Sequence, residues 1–121
     1  MIRNEKQKKY DLEERTLVWA KRIYEYVNKL TKSITNTETG KQLTRSAGSV
    51  GANYIETNES LGRKDFLMKI KISRKEARES RYWLKLSEPK YDGIAVKKDL
   101  IRESTELMNI FGAIFNKSKS I

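Results

Sequence analysis

The chain of 121 residues carries 26 lysines and arginines against 16 aspartates and glutamates, a formal net charge of +10, and it has no histidine and no cysteine. That composition excludes a disulfide framework and a thiolate metal site, removes the commonest general base and metal ligand, and points to a polyanionic partner such as RNA, DNA or an anionic membrane. The length suits one domain; with no run of about 18 apolar residues and no leader pattern, a cytoplasmic protein without a membrane span is expected. Hydrophobic residues make up 37% of the chain. That is little for an isolated monomer, so a helical bundle that also buries surface between subunits is expected.

Residues 1–10 read as a basic, flexible arm, with Arg3, Lys6, Lys8 and Lys9 against Glu5. Helix one is predicted over 11–31. Asp11, Glu13 and Glu14 favour its first turn through the helix dipole, and Leu12, Trp19, Ile23, Val27 and Leu30 recur on one face. Residues 32–39 (KSITNTET) read as a turn. Helix two follows over 40–58, with Leu43, Ala47, Val50 and Tyr54 as its core stripe. Its middle is built from small residues: Ser46, Ala47, Gly48, Ser49, Gly51 and Ala52. Each glycine inside a helix costs about 1 kcal/mol relative to alanine, so close approach of another helix is expected in return. Gly48, Ala52 and Ile55 lie off the core stripe, which predicts a second tight contact with another helix of the chain or with another subunit. A phosphate-binding glycine loop is excluded, because no strand precedes the glycines and no Lys-Ser/Thr follows them.

Helix three, over 62–86, is the centre of the reading. Nine of the 26 basic residues fall in it, against three carboxylates, a balance of +6. At about 100° per residue, Arg63, Lys64, Lys71, Arg74, Lys75, Arg78, Arg81 and Lys85 share an arc of about 120°. Phe66, Ile70, Ser73, Ala77, Ser80 and Leu84 occupy a separate core arc, and Asp65, Glu76 and Glu79 lie on a third side. Like charges at helical spacing repel, so so concentrated a stripe is read as a surface for an anion. Pro89 and Gly93 break the chain. Helix four is predicted over 96–116, with Leu100, Ile101, Ser104, Leu107, Met108, Phe111, Ile114 and Phe115 on one broad side, followed by a frayed tail over 117–121. Four helices joined by short loops, with no strand pattern, predict an all-α, antiparallel up-down four-helix bundle.

The run Arg45, Ser46, Ala47, Gly48, Ser49, Val50, Gly51, Ala52, Asn53, Tyr54, Ile55, Glu56, then Asp65 and Phe66, then Lys75 to Glu79 (KEARE), then Tyr82, Trp83 and Leu84, resembles the signature of the four-helix-bundle proteins named for 23S rRNA intervening sequences. That family includes the accessory variability determinants of diversity-generating retroelements. The resemblance extends from about Asp11 to Phe115. It implies an antiparallel four-helix bundle and a ring-shaped homo-oligomer, commonly a pentamer, with a basic channel or surface. In the accessory-determinant branch it implies binding to nucleic acid and to a reverse transcriptase.

Within that frame Arg45, Gly48, Ala52, Asn53, Glu56, Asp65, Glu76 and Glu79 are assigned to packing and to a network of ion pairs and hydrogen bonds that fixes helix register and subunit contacts, because buried charge persists only when paired. A carboxylate cluster holding Mg²⁺ is disfavoured, since Asp65, Glu76 and Glu79 are spread along the helix among cations. Tyr82 and Trp83 read as packing residues at the helix end, with base stacking as the sharper alternative. The chain is therefore expected to be a non-enzymatic homo-oligomer with no cofactor, metal, membrane or small-molecule substrate. It would bind nucleic acid, RNA foremost, through Arg63, Lys64, Lys71, Arg74, Lys75, Arg78, Arg81 and Lys85. The alternative is a scaffold that docks a partner enzyme such as a retroelement reverse transcriptase.

Overall fold

A computed structural model of the chain describes residues 5–120, with side chains from residue 11 onward. Among those residues there are four helices and no strand: α1 (Glu5–Asn28), α2 (Ile34–Glu56), α3 (Arg63–Leu86) and α4 (Ile94–Lys119), with short 3-10 turns at Thr57–Glu59 and Tyr91–Gly93. The apolar stripes converge on one core. Trp19, Ile23, Leu43, Val50, Ile70, Leu84, Leu100, Leu107 and Phe111 are fully buried, and Val27, Phe66, Trp83, Ile101 and Ile114 pack around them. No described helix is long and apolar enough to cross a membrane.

α2 packs on both α1 and α3, and α4 on α3 and, less extensively, on α1. Residue numbers rise along one helix as they fall along its neighbour. Gly40, Gly48 and Gly51 meet Val27, Tyr24 and Thr16 of α1. On the other flank of α2 the Ser46 and Ser80 hydroxyls lie 2.7 Å apart, and Ser73 Oγ donates to the Val50 carbonyl. α1 reaches α4 where Trp19 Nε1 donates to the Leu100 carbonyl, and the end of α3 where Tyr26 Oη bonds Ser87 Oγ at 2.6 Å. The small residues of α2 therefore serve two contacts inside one chain: glycines toward α1 and serine toward α3. Gly48 belongs to the first contact, whereas Ala52 and Ile55 remain exposed.

Several boundaries differ from the sequence expectation. α1 begins at Glu5, so the backbone of residues 5–10 is helical rather than part of a flexible arm; residues 1–4, and the side chains of Lys6, Lys8 and Lys9, lie outside the described residues. α1 also ends at Asn28, leaving Leu30 in the loop. α2 starts at Ile34, six residues before the expected Gly40, because Ser33 caps it: Asn36 N donates to Ser33 Oγ at 3.0 Å. The threonines and asparagine of that first turn are weak helix formers, but tertiary bonds override propensity. Buried Asn36 donates from Nδ2 to the carbonyls of Thr31 and Glu88, and its Oδ1 accepts from Glu88 N, tying the α1–α2 loop to the α3–α4 loop. α4 continues to Lys119 where a frayed tail was expected. At the start of α3, Gly62 adopts φ 120°, a conformation that side-chain-bearing residues avoid, and Asp65 Oδ2 accepts from Leu61 N.

The α1–α4 seam is ionic. Arg15 makes a two-pronged contact with Glu103, at 2.8 and 2.6 Å, and also reaches Glu106, while Arg22 pairs with Asp99 at 2.8 Å. The hydrogen bond from Arg15 holds the Glu103 carboxyl below its ordinary 4.5, against opposing burial. A depressed carboxyl contributes stability that is present above its unfolded value and is lost as pH falls through the folded one. Glu103→Gln is therefore expected to lose about 1–2 kcal/mol at pH 7, and the gap to the parent protein should shrink in urea melts at pH 3. An equal gap at both pH values would mean that shape, not charge, holds the seam.

Candidate nucleic-acid interface

α3 is an uninterrupted helix with no proline and no interior glycine, rich in strong helix formers. Its core arc is narrow because Ser73, Ala77 and Ser80 are small and fully buried against neighbouring helices. That leaves most of the circumference for charge. On the solvent side Lys64, Lys71, Arg74, Lys75, Arg78 and Lys85 are exposed and Arg81 is half-buried. The structure sorts the eight expected contacts by what they touch. Arg63 caps the end of α4, donating to the carbonyls of Ser118 and Lys119. Arg74 lies over Gly112 of α4, where a methyl group would meet the guanidinium at 3.5 Å. Arg81 donates to Thr105 Oγ1 at 3.2 Å. Lys64, Lys71, Lys75, Arg78 and Lys85 have no side-chain hydrogen bond or ion pair among the described residues, and stand free in solvent.

The arginines divide between this face and the rest of the bundle. Of the described arginines outside α3, all four engage carboxylates: Arg15 with Glu103 and Glu106, Arg22 with Asp99, Arg45 with Glu76 and Glu79, and Arg102 with Asp99 and Glu106. None of the four arginines on α3 does so among the described residues. The reason lies in α4. Its carboxylates are Asp99, Glu103 and Glu106, and each is engaged on the α1 side of the helix. The side turned to α3 carries Thr105 and Gly112, and Asn109 and Asn116 share their helical spacing. An uncharged strip thus borders the cationic one. This second wall was missed in reading the sequence; the signal available was the clustering of the α4 carboxylates on one side of its wheel.

The residues assigned to a structural network divide. Arg45 joins Glu76, at 3.3 Å, to Glu79, at 2.6 Å, across α2 and α3. Glu79 in turn accepts from Trp83 Nε1 at 3.4 Å. Glu76 is 6% exposed and its Oε2 has no hydrogen-bond partner. Burial pushes its carboxyl above the ordinary range, with Arg45 opposing the shift. Asp65 stands apart at the start of α3, paired with Lys69 at 2.6 Å and held below the ordinary range chiefly by that bond. Asn53 donates from Nδ2 to the Ser49 carbonyl within α2. Glu56 and Ala52 are exposed. No group of three or more acidic side chains is gathered to hold a metal among the described residues.

Tyr82 and Trp83, adjacent in the sequence and in ring contact, differ in burial. Trp83 packs against the core and is tethered to Glu79. Tyr82 is 57% exposed on the cationic side.

With this geometry in view, the comparisons give a consistent likeness. The family model described as 23S rRNA-intervening sequence protein matches residues 8–112. A solved structure, that of a protein of unknown function from the S23 ribosomal protein family of Bacteroides thetaiotaomicron VPI-5482, is similar at 29% identity. The likeness covers 90% of this chain and 98% of that one, with a TM-score of 0.74. No curated protein matches the chain.

Proposed function

Because the chain belongs to the 23S rRNA-intervening sequence protein family, we propose that it binds nucleic acid, RNA foremost, by laying the outer face of α3 along phosphates without chemistry on the strand. The observation that carries this reading is the contrast in pairing. The described arginines outside α3 all pair with carboxylates, whereas Arg63, Arg74, Arg78 and Arg81, with Lys64, Lys71, Lys75 and Lys85 on the same helix, form no ion pair among the described residues, beside an uncharged strip of α4. Concentrating unpaired cations on one rigid helix is unfavourable for the free protein and becomes favourable when phosphates replace counterions. Contacts of this kind position a strand without reading its sequence.

The test is fluorescence anisotropy of a labelled RNA against the nuclease-treated protein over a salt titration. Neutralising about five phosphates of a single strand is expected to give a slope near −3.5 in log affinity against log salt. No binding at 50 mM salt, or a flat slope, would move this face to an acidic protein partner. We also propose self-association, in the ring implied by the resemblance. It is supported by Leu17 and Tyr24 on α1 and Ile55 on α2, which stay exposed beside the α1–α2 contact. A monomeric native mass would remove that part of the reading.

A further inference from the structure

Tyr82 sits on the same line of α3 as Lys71, Lys75 and Arg78, at 11, 7 and 4 residues' remove, so one face presents one exposed ring and three cations that form no ion pair among the described residues. An exposed tyrosine by itself is ordinary. Three features set this one apart. Its hydroxyl has no hydrogen-bond partner among the described residues, so no polar bond dictates where the ring points. Its ring meets that of Trp83 in a T-shaped pair, with centroids 5.2 Å apart and planes at 72°. Trp83 itself packs against the core and donates to Glu79, so the ring has a packed neighbour that limits its rotamers, and ordering it on binding costs less. Leu86, one turn further along, is 49% exposed and extends the apolar surface beside it.

We propose that Tyr82 is a stacking platform for an unpaired base, so that this face takes single-stranded rather than duplex nucleic acid; this deepens the reading above and rests on it. In a duplex the faces of the bases are covered by their neighbours, and a ring on the outside of a protein helix finds only phosphates and edges. In a single strand a base turns its face outward, lies on the ring, and leaves its flanking phosphates beside Lys75 and Arg78. A row of cations with an interleaved aromatic ring is the arrangement that binds single strands with little regard for sequence.

The experiment compares a labelled single-stranded RNA 12-mer, the DNA of the same sequence, and the RNA annealed to its complement, against the parent protein, Tyr82→Ala and Tyr82→Phe. The parent protein is expected to bind the single strands more tightly than the duplex. Tyr82→Ala should weaken single-strand binding by about 5- to 100-fold, with the salt slope and duplex binding unchanged, while Tyr82→Phe keeps the parent affinity because the ring is retained. The loss is expected in the RNA and DNA arms alike, since stacking does not involve the sugar. Salt-dependent binding that is indifferent to Tyr82→Ala, or as tight for the duplex as for the single strand, would overturn the proposal while leaving the phosphate reading intact. A change in native mass on Tyr82→Ala would also overturn it, by placing the ring between copies of the chain. Failure of all three probes to bind at low salt would overturn the phosphate reading itself, and this proposal with it.

Discussion

Reversing Lys71 and Arg78 together to glutamate is expected to lower RNA affinity at least about 100-fold near 0.1 M salt and to flatten the salt slope by about 1.4, the share of two phosphates on a single strand. Both side chains are exposed on the outer face of α3 and free of carboxylates among the described residues. Neither touches the α4 strip, as Arg74 and Arg81 do, nor caps a helix, as Arg63 does. The double change should therefore leave the bundle intact. It would even relieve repulsion between neighbouring like charges, worth a few tenths of a kcal/mol per pair. Circular dichroism and a thermal melt should match the parent protein. Reversing Arg22, on the α1–α4 seam, is the useful comparison: it should disturb folding through Asp99 and affect RNA only through net charge. If affinity and slope survive in the Lys71 and Arg78 double variant, the strand does not lie on α3.

The largest effect on stability is expected at Gly51, not at Gly48. A methyl group built on Gly51 would stand 2.9 Å from Thr16 Oγ1 and 3.4 Å from Thr16 Cβ. Thr16 is fully buried, and its hydroxyl is already bonded to the carbonyls of Leu12 and Glu13. It has nowhere to go, so a larger side chain must push α1 from α2 along the seam that buries Trp19 and Ile23. Gly51→Leu is expected to cost about 3 kcal/mol or more, lowering Tm by about 10–15 °C. At Gly48 the corresponding neighbour is the hydroxyl end of Tyr24, 2.9 Å away, on a side chain that is itself exposed and free to swing. Gly48→Ala gains up to about 1 kcal/mol of helix propensity, so its melt should stay within a few degrees of the parent. A Gly51→Leu protein that melts like the parent would show that α1 and α2 have slack the packing does not suggest. Native mass recorded on both variants separates the contact inside the chain from one between copies.

These two outcomes follow from features of different legibility. The cationic stripe could be read from α3 alone, because eight basic residues at helical spacing define an arc whatever the rest of the chain does. The core stripes were legible for the same reason: Trp19 and Ile23, Leu43 and Val50, Ile70 and Leu84, and Leu100, Leu107 and Phe111 recur within their own helices at the period of a helix that is apolar on one side. The small-residue run of α2 announced a close contact without naming the partner. A glycine tells only that something approaches; α1 and α3 each offered a face, and a second subunit offered another.

The early start of α2 was hidden because Thr35, Asn36, Thr37 and Thr39 suit turns as well as helix ends. What converts them is a bond from Asn36 to Glu88, 52 residues away in sequence, which no local pattern contains. Tyr82 and Trp83 illustrate the same limit at the site. Adjacent aromatics at a helix end look alike in sequence, and only the position of Glu79 and the core decides that one ring is tethered and the other exposed against it.

The chain by itself determined four amphipathic helices, the residues of the core, and a cationic face concentrated on α3, because each of these depends on periodicity along one segment. Tertiary structure decided which cations are spent and which remain. Helical period fixes the direction of a side chain around its own axis but not what the next helix places opposite it. Here the α4 carboxylates turn to Arg15 and Arg22 on α1, Glu76 and Glu79 turn to Arg45 on α2, and the outer face of α3 is left without an ion pair among the described residues.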